Sequence, residues 1–130
     1  MNTKNIHQAV SFKAPVRAVY KALMDSRQHS RIAGMKVTIG SRPGSMFSVW
    51  GGGIHGFTLH LTPNKKIVQA WRSEDWPKDH YSVAIFNFQK AGKGTRLTFE
   101  QYGVPKTKYR DISDGWKTYY WEPMKRLLEK

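Results

Sequence analysis

The sequence contains no cysteine. A disulfide scaffold, a thiolate zinc site and a cysteine nucleophile are therefore excluded. No apolar stretch approaches the roughly 18 residues that a membrane-spanning helix requires. The first ten residues, MNTKNIHQAV, lack the apolar core and the small-residue cleavage site of a secretory signal. We therefore expect a cytoplasmic protein.

Acidic residues are also scarce. The 130 residues include 9 Asp or Glu against 22 Lys or Arg, which gives a formal net charge of +13. A pI near 10.2 is typical of proteins that bind nucleic acids, anionic membrane surfaces or acidic partners. The alternative is a solvated basic surface with no partner.

The excess of positive charge is concentrated near the start of the chain. The first 42 residues hold eight Lys or Arg and one acid, Asp25. Arg17 and Lys21 are one helical turn apart, as are Arg27 and Arg31, so we expect these four to form a basic face. No Phe or Trp lies among them, which argues against stacking on nucleic-acid bases. An acidic protein or an anionic membrane surface suits this face better.

The order of patterns predicts an α+β fold in a single domain, residues 1–130. A first strand over 6–12 is followed by two short helices, the first opening at Pro15 and the second lying between Asp25 and Gly34. The apolar period then changes to two, and short turns separate about six strands.

The last segment, from about residue 108 to 129, has an aromatic stripe at helical spacing, which Pro123 interrupts with a kink or local unwinding. Consecutive strands with short turns favour an antiparallel sheet that needs one covered face. We therefore expect a helix-grip architecture, in which a curved sheet of six to seven strands wraps around the long C-terminal helix. The two short helices would close one end of the space between them.

Several local motifs occur in a specific order: Gly51–Gly56 (GGGIHG), Leu61–Val68 (LTPNKKIV), Ala70–Arg72 (AWR), Tyr102–Pro105 (YGVP) and Gly115–Pro123 (GWKTYYWEP). Together they resemble the family of the C-terminal domain of the activator of the ninety-kilodalton heat-shock-protein ATPase, within the START-like superfamily. The resemblance implies a helix-grip fold, a role in the stress response and a chaperone as partner. The separate N-terminal domain of the eukaryotic activators has no counterpart in these 130 residues.

The aromatic residues exceed what a thin core between one sheet and one helix needs. Our first hypothesis is a binding domain that holds a hydrophobic, lipid-like or aromatic molecule in a cavity. The alternative is that the same side chains simply pack the core. The alternation of side chains along this strand does not decide which pair faces the helix, Phe86 and Phe88 or Val83 and Ile85. The predicted cavity-lining residues are Val49, His55, Phe57, Leu59, Trp71, Phe86, Phe99, Trp116, Tyr119 and Tyr120.

The sequence predicts no metal site, no cofactor and no catalytic residues. The five histidines show no metal-ligand spacing, and we expect His55 and His60, an odd number apart on one strand, to face opposite sides. His55 either donates to a ligand in the cavity or bonds to backbone or water. Two further hypotheses stay open: a protein-interaction module that serves a chaperone, and a cyclase- or hydrolase-like enzyme that uses polar cavity groups.

Overall fold

A computed structural model describes residues 2–129, so residues 1 and 130 of the predicted domain lie outside it. Seven strands and a long C-terminal helix (109–128) make up most of the fold. The elements are β1 (Thr3–Phe12), α1 (Val16–Met24), α2 (Ser26–Ala33), β2 (Val37–Ile39), β3 (Met46–Val49), β4 (Ile54–Thr62), β5 (Lys66–Ser73), β6 (Ser82–Ala91), β7 (Gly94–Pro105), α3 (Tyr109–Trp116) and α4 (Glu122–Leu128). None of the helices described is long and apolar enough to cross a membrane.

All seven strands form one antiparallel sheet in the order β1-β7-β6-β5-β4-β3-β2. Strands β2 to β7 are sequential neighbours, as their short turns predict, and β1 pairs with β7. The curved antiparallel sheet with a long C-terminal helix confirms the predicted α+β fold class. The sheet has an inner face, which packs on the helices, and an outer face.

Local sequence signals define the ends of the two short helices. Pro15 is the N-cap of α1 and not its first helical residue, so the helix begins at Val16, one residue later than predicted. The Asp25 carboxylate accepts the N–H of Arg27 at 2.9 Å and caps α2, as expected. Gly34 closes α2 with a φ of 77°, a conformation that glycine adopts without steric cost.

The C-terminal helix is continuous but locally widened. Residues Lys117–Trp121 form a π-helical turn between α3 and α4, which ends two residues before Pro123. Proline cannot donate to the carbonyl four residues earlier and its ring crowds that carbonyl, so the predicted irregularity at Pro123 takes the form of a wider turn. The turn buries two consecutive aromatic side chains, Tyr120 and Trp121.

The inner face of β6 carries Phe86 and Phe88, both buried, while Val83 and Ile85 lie on the outer face. This resolves the alternative that parity left open. On β7 the inner face carries Thr95, Leu97, Phe99 and Gln101, all buried, in agreement with the predicted alternation.

The predicted orientation of β4 is wrong. Phe57 and Leu59 are exposed on the outer side, whereas Gly56 and Thr58 face inward. The reason is steric: a Cβ on Gly56 would clash with the backbone carbonyl of Ala70, so only glycine fits this inward position. A hydrophobicity pattern alone does not reveal such a close approach.

A β-bulge also changes parity along β4. The register shifts between Thr58 and His60, so that His55 pairs with Arg72 and His60 with Val68. Arg72 and Val68 share one face of β5, and both histidines therefore lie on the outer face. The expectation that they face opposite sides is wrong because it assumed a regular strand.

Candidate functional site

The space between the sheet and the C-terminal helix is filled by an aromatic cluster centred on Trp116. The Trp116 ring centroid lies 4.3 Å from that of Phe99 and 4.7 Å from that of Tyr120. Trp71, Phe86 and Trp121 surround the same ring at 5.5–5.7 Å. These contacts are tilted or edge-on, except that Trp121 stacks on Trp116, and aromatic rings pack in such offset and edge arrangements in a close-packed interior.

A buried chain of hydrogen bonds ties this cluster to the sheet. The Trp116 indole N–H donates to Oε1 of Gln101 at 2.8 Å, and Nε2 of Gln101 donates to the Ser82 hydroxyl at 2.9 Å. Ser82 in turn donates to the carbonyl of Trp71 at 2.8 Å. Gln101 is fully buried, and its two side-chain hydrogen bonds stabilise one register of helix against sheet.

The indole of Trp121 makes a second attachment between the C-terminal helix and the sheet. The Trp121 N–H donates to Oε1 of Gln8 at 2.7 Å, and Nε2 of Gln8 donates to the Ser113 carbonyl at 2.9 Å. Both tryptophans of the Gly115–Pro123 motif thus bond to glutamines on neighbouring strands, β7 and β1. The motif therefore encodes the attachment of the helix to the sheet.

His29 links α2 to the C-terminal helix. Its Nδ1 lies 2.9 Å from the Leu23 carbonyl and its Nε2 2.7 Å from the Tyr120 hydroxyl. A carbonyl can only accept, so Nδ1 carries the hydrogen and Nε2 accepts from Tyr120. Burial lowers the pKa of His29, partly opposed by the Leu23 carbonyl, and burial raises the pKa of Tyr120. Both groups are therefore neutral at pH 7.

The enclosed space left beside this pair measures only about 10 Å³. That is about one water-sized sphere, so it holds no lipid-like or aromatic molecule. Six of the predicted lining residues are buried and pack against the core or one another: Val49, Trp71, Phe86, Phe99, Trp116 and Tyr120. In the interior these side chains pack the core, which was the alternative to a ligand cavity.

A more open cleft of about 160 Å³ lies at the end of this cluster, between α3 and the turn that follows β3. Its walls are mostly apolar, with the Asp111 carboxylate as the acidic group among them. The Trp50 indole donates to the Ala33 carbonyl at 2.9 Å, which fixes one wall. The residues lining the cleft are Trp50, Ile54, Trp71, Asp111, Ile112, Gly115, Trp116, Tyr119 and Tyr120.

The cleft includes four of the predicted residues: the buried Trp71, Trp116 and Tyr120 and the exposed Tyr119. Sequence reasoning missed the other five lining residues, which are Trp50, Ile54, Asp111, Ile112 and Gly115. The available signal for Trp50 was its place directly before three consecutive glycines, Gly51–Gly53, which indicate a loop. Trp50 itself adopts a φ of 54°, a left-handed conformation that is strained for such a side chain.

The remaining predicted lining residues lie elsewhere. Phe57 and Leu59 are on the outer face, for the steric reason given above. His55 is half-buried on that face, and its Nδ1 contacts the Gly52 carbonyl at 2.9 Å. The alternative that His55 bonds to backbone is the one observed.

The four residues of the predicted basic face are all exposed. Arg17 and Lys21 lie on α1, and Arg27 and Arg31 lie on α2. The close contacts between basic and acidic side chains found among residues 2–129, His7 with Glu100 and Lys108 with Asp75, involve none of these four. Within the same range, no three His, Asp or Glu side chains are grouped as a metal site.

A curved antiparallel sheet that holds a long C-terminal helix, with two short helices after the first strand, defines the class of START-like, helix-grip domains. The family model described as activator of Hsp90 ATPase homolog 1-like protein matches residues 13–129. The chain belongs to that family.

Individual relatives agree with this assignment. An uncharacterized protein of Schizosaccharomyces pombe is 32% identical over 128 residues, 98% of this chain and 38% of that protein. The activator of 90 kDa heat shock protein ATPase homolog 2 of Mus musculus is 28% identical over 127 residues, again 98% of this chain and 38% of that protein. The chain therefore spans well under half the length of these curated relatives.

Solved structures show the same fold. An HSP90 activator from Plasmodium falciparum superposes with a TM-score of 0.91 at 20% identity, over 98% of this chain and 97% of that chain. The structure described as the Aha1 dimer from Colwellia psychrerythraea superposes with a TM-score of 0.83 at 19% identity, over 97% and 96% of the two chains.

Proposed function

We propose that this chain is a chaperone co-factor domain, which binds a heat-shock-protein-90-type chaperone and raises its ATPase activity without catalysing a reaction itself. The observation that supports this function is the family match over residues 13–129, together with the mouse relative named as an activator of that ATPase. A cytoplasmic location is part of the same proposal.

The filled interior supports a function that is carried by the surface. An enclosed space of about 10 Å³ leaves little room for a cargo molecule, whereas a charge of +13 favours encounter with an acidic protein. The exposed basic face of Arg17, Lys21, Arg27 and Arg31 is the contact we propose for that encounter. Complementary charge of this kind raises association rates and selects partners.

The test is the ATPase rate of a purified heat-shock-protein-90-type chaperone, measured with and without this chain, alongside the affinity from calorimetry. The variant reverses the basic face to glutamate at all four positions. A matched control reverses four exposed cations outside α1 and α2, namely Lys65, Lys78, Lys90 and Lys106. Both variants change the net charge equally.

We expect stimulation by the wild-type chain and a loss of affinity of about tenfold or more in the basic-face variant. The control should lose about threefold at most, because distant surface charges are screened. A wild-type chain that neither binds nor stimulates the chaperone would show the co-factor proposal to be wrong. Equal losses in both variants would reject the basic face as the contact.

A second candidate function rests on the open cleft. Its volume of about 160 Å³ is close to the roughly 150 Å³ of an apolar cavity known to bind benzene. We propose that it holds the aromatic or acyl end of a hydrophobic molecule. Native mass spectrometry of the wild-type chain purified from its own host should then detect a bound molecule, and Gly115→Leu, which fills the cleft, should lose it. An unliganded mass for both proteins would contradict this candidate.

A further inference from the structure

The outer face of the sheet carries an unbroken apolar row across five strands. Ladder pairing joins Met46 to Phe57, Phe57 to Ala70, Ala70 to Val83, and Val83 to Tyr102. We call these five residues the outer row. Four strand spacings give it a length of about 19 Å. Isolated exposed apolar side chains are ordinary on a protein surface, but a contiguous set of this length is not.

The outer row is accessible and is extended by its neighbours. Met46 is 66% exposed, and Phe57, Val83 and Tyr102 are 37–38% exposed. Beside the row, Leu59 projects from the β4 bulge with half of its surface exposed, and the Tyr81 ring lies 6.2 Å from that of Phe57. The exposed apolar surface is therefore wider than a single row.

The fold itself does not use this surface. The C-terminal helix bonds to the inner face through Gln101 and Gln8, and the ring of Tyr20 on α1 lies against Phe88, also on the inner face. The basic face and the cleft thus lie on the helix side of the sheet, and the outer row lies on the opposite side. Core packing gives no reason for its apolar character.

Positive charge outweighs negative charge on the outer face that carries the row, although Arg72, two residues from Ala70, is the only one of its cations that directly flanks the row. The outward, ladder-paired positions of β3 to β7 include three cations, Lys66, Arg72 and Arg96, and one acid, Glu100. Glu100 is already held, since its Oε2 accepts from the Tyr102 hydroxyl at 2.5 Å and contacts Nδ1 of His7 at 3.2 Å. The guanidinium of Arg72 lies over the Tyr81 ring, 5.8 Å from its centre.

We propose that the outer row is a docking surface for an acidic protein segment that presents aliphatic or aromatic side chains. Apolar side chains of the segment cover the row, and its carboxylates face Arg72 and the more distant cations of the outer face. A second copy of this chain is a poor occupant, because it brings a net charge of +13 against the same cations. The inference rests on the proposed function, and it assigns to this face a chaperone contact separate from that of the basic face.

The test removes apolar surface without touching charge or core. Phe57→Thr combined with Val83→Thr keeps good strand formers at both positions, and both side chains are more than a third exposed. Met35→Thr is the matched control, because Met35 is 56% exposed and lies outside the sheet, after α2. Circular dichroism and thermal unfolding check that all three proteins are folded.

We expect the double variant to bind the purified chaperone at least tenfold more weakly in calorimetry, and Met35→Thr to change the affinity less than twofold. A chaperone that binds the wild-type and double-variant chains equally overturns the docking surface and leaves the co-factor proposal intact. A concentration-dependent dimer in sedimentation that the double variant abolishes identifies a second copy as the occupant and also overturns it.

A synthetic peptide that alternates Glu with Leu and Phe tests the surface without the chaperone. We expect it to shift the backbone amide resonances of Phe57, Val83 and Tyr102, and a peptide with Lys in place of Glu to have little effect. If the acidic peptide shifts only residues of α1 and α2, or none, the inference is wrong. If the chaperone does not bind but the peptide occupies the outer row, the co-factor proposal fails and the docking surface stands.

Discussion

The buried bond between Trp116 and Gln101 provides a quantitative test of how the helix is held. Gln101→Leu leaves the Trp116 indole N–H buried with no acceptor and removes the donor to Ser82. An orphaned buried donor costs about 1–3 kcal/mol, so we expect the free energy of unfolding to fall by about 2 kcal/mol. Trp116→Phe alone leaves Oε1 of Gln101 without a donor and creates a small void. We expect this single variant to lower the free energy of unfolding by about 2–3 kcal/mol.

The double variant distinguishes a specific bond from general packing. With both polar partners gone, neither side chain is left unsatisfied, so the combined loss should be smaller than the sum of the single losses by about 1–2 kcal/mol. Urea unfolding monitored by far-UV circular dichroism measures all four proteins of the cycle. Losses that add within about 0.5 kcal/mol would refute the reasoning, because independent sites behave in that way.

Two further perturbations follow from the structure. The folded-state pKa of His29 lies below its unfolded value of 6.5, so the unfolded chain binds more protons as the pH falls through 6.5. The free energy of unfolding should therefore decrease below pH 6.5, and His29→Gln should reduce this slope in urea titrations. Gly56→Ala should destabilise the fold by about 3 kcal/mol in thermal unfolding, because the added Cβ meets a backbone carbonyl. Gly115→Ala should stabilise the fold by about 0.5–1 kcal/mol, because the added Cβ has room and alanine favours a helix. An unchanged pH slope for His29→Gln, or equal effects of the two alanines, would contradict these assignments.

Local chemistry was sufficient to predict the short helices and most strands. Asp25 and Gly34 mark the ends of α2 because a carboxylate cap and a left-handed C-cap are properties of a few neighbouring residues. The alternation on β7 was equally clear, since Leu97 and Phe99 share the buried face. These signals depend only on spacing along the chain.

Spacing along the chain did not predict the orientation of strand β4. Its hydrophobic side chains, Phe57 and Leu59, lie on the exposed face, and the buried face carries Gly56 and Thr58. The orientation follows from the close approach of Ala70 on the next strand and from a bulge before His60. Both features arise from strand pairing, which no window of single-chain sequence reports.

The sequence by itself determined the α+β class, the family and the excess of positive charge, because these follow from periodicity, motif order and composition. It also supplied candidates for the aromatic cluster, but it left the orientation of Phe86 open and did not include Trp121. Only the tertiary structure decided that the cluster closes on itself around Trp116 and leaves about 10 Å³. It also decided that apolar residues of the five strands β3 to β7 align in one outer row. Cavity volume and cross-strand register depend on how distant segments pack, so they appear only when the chain is folded.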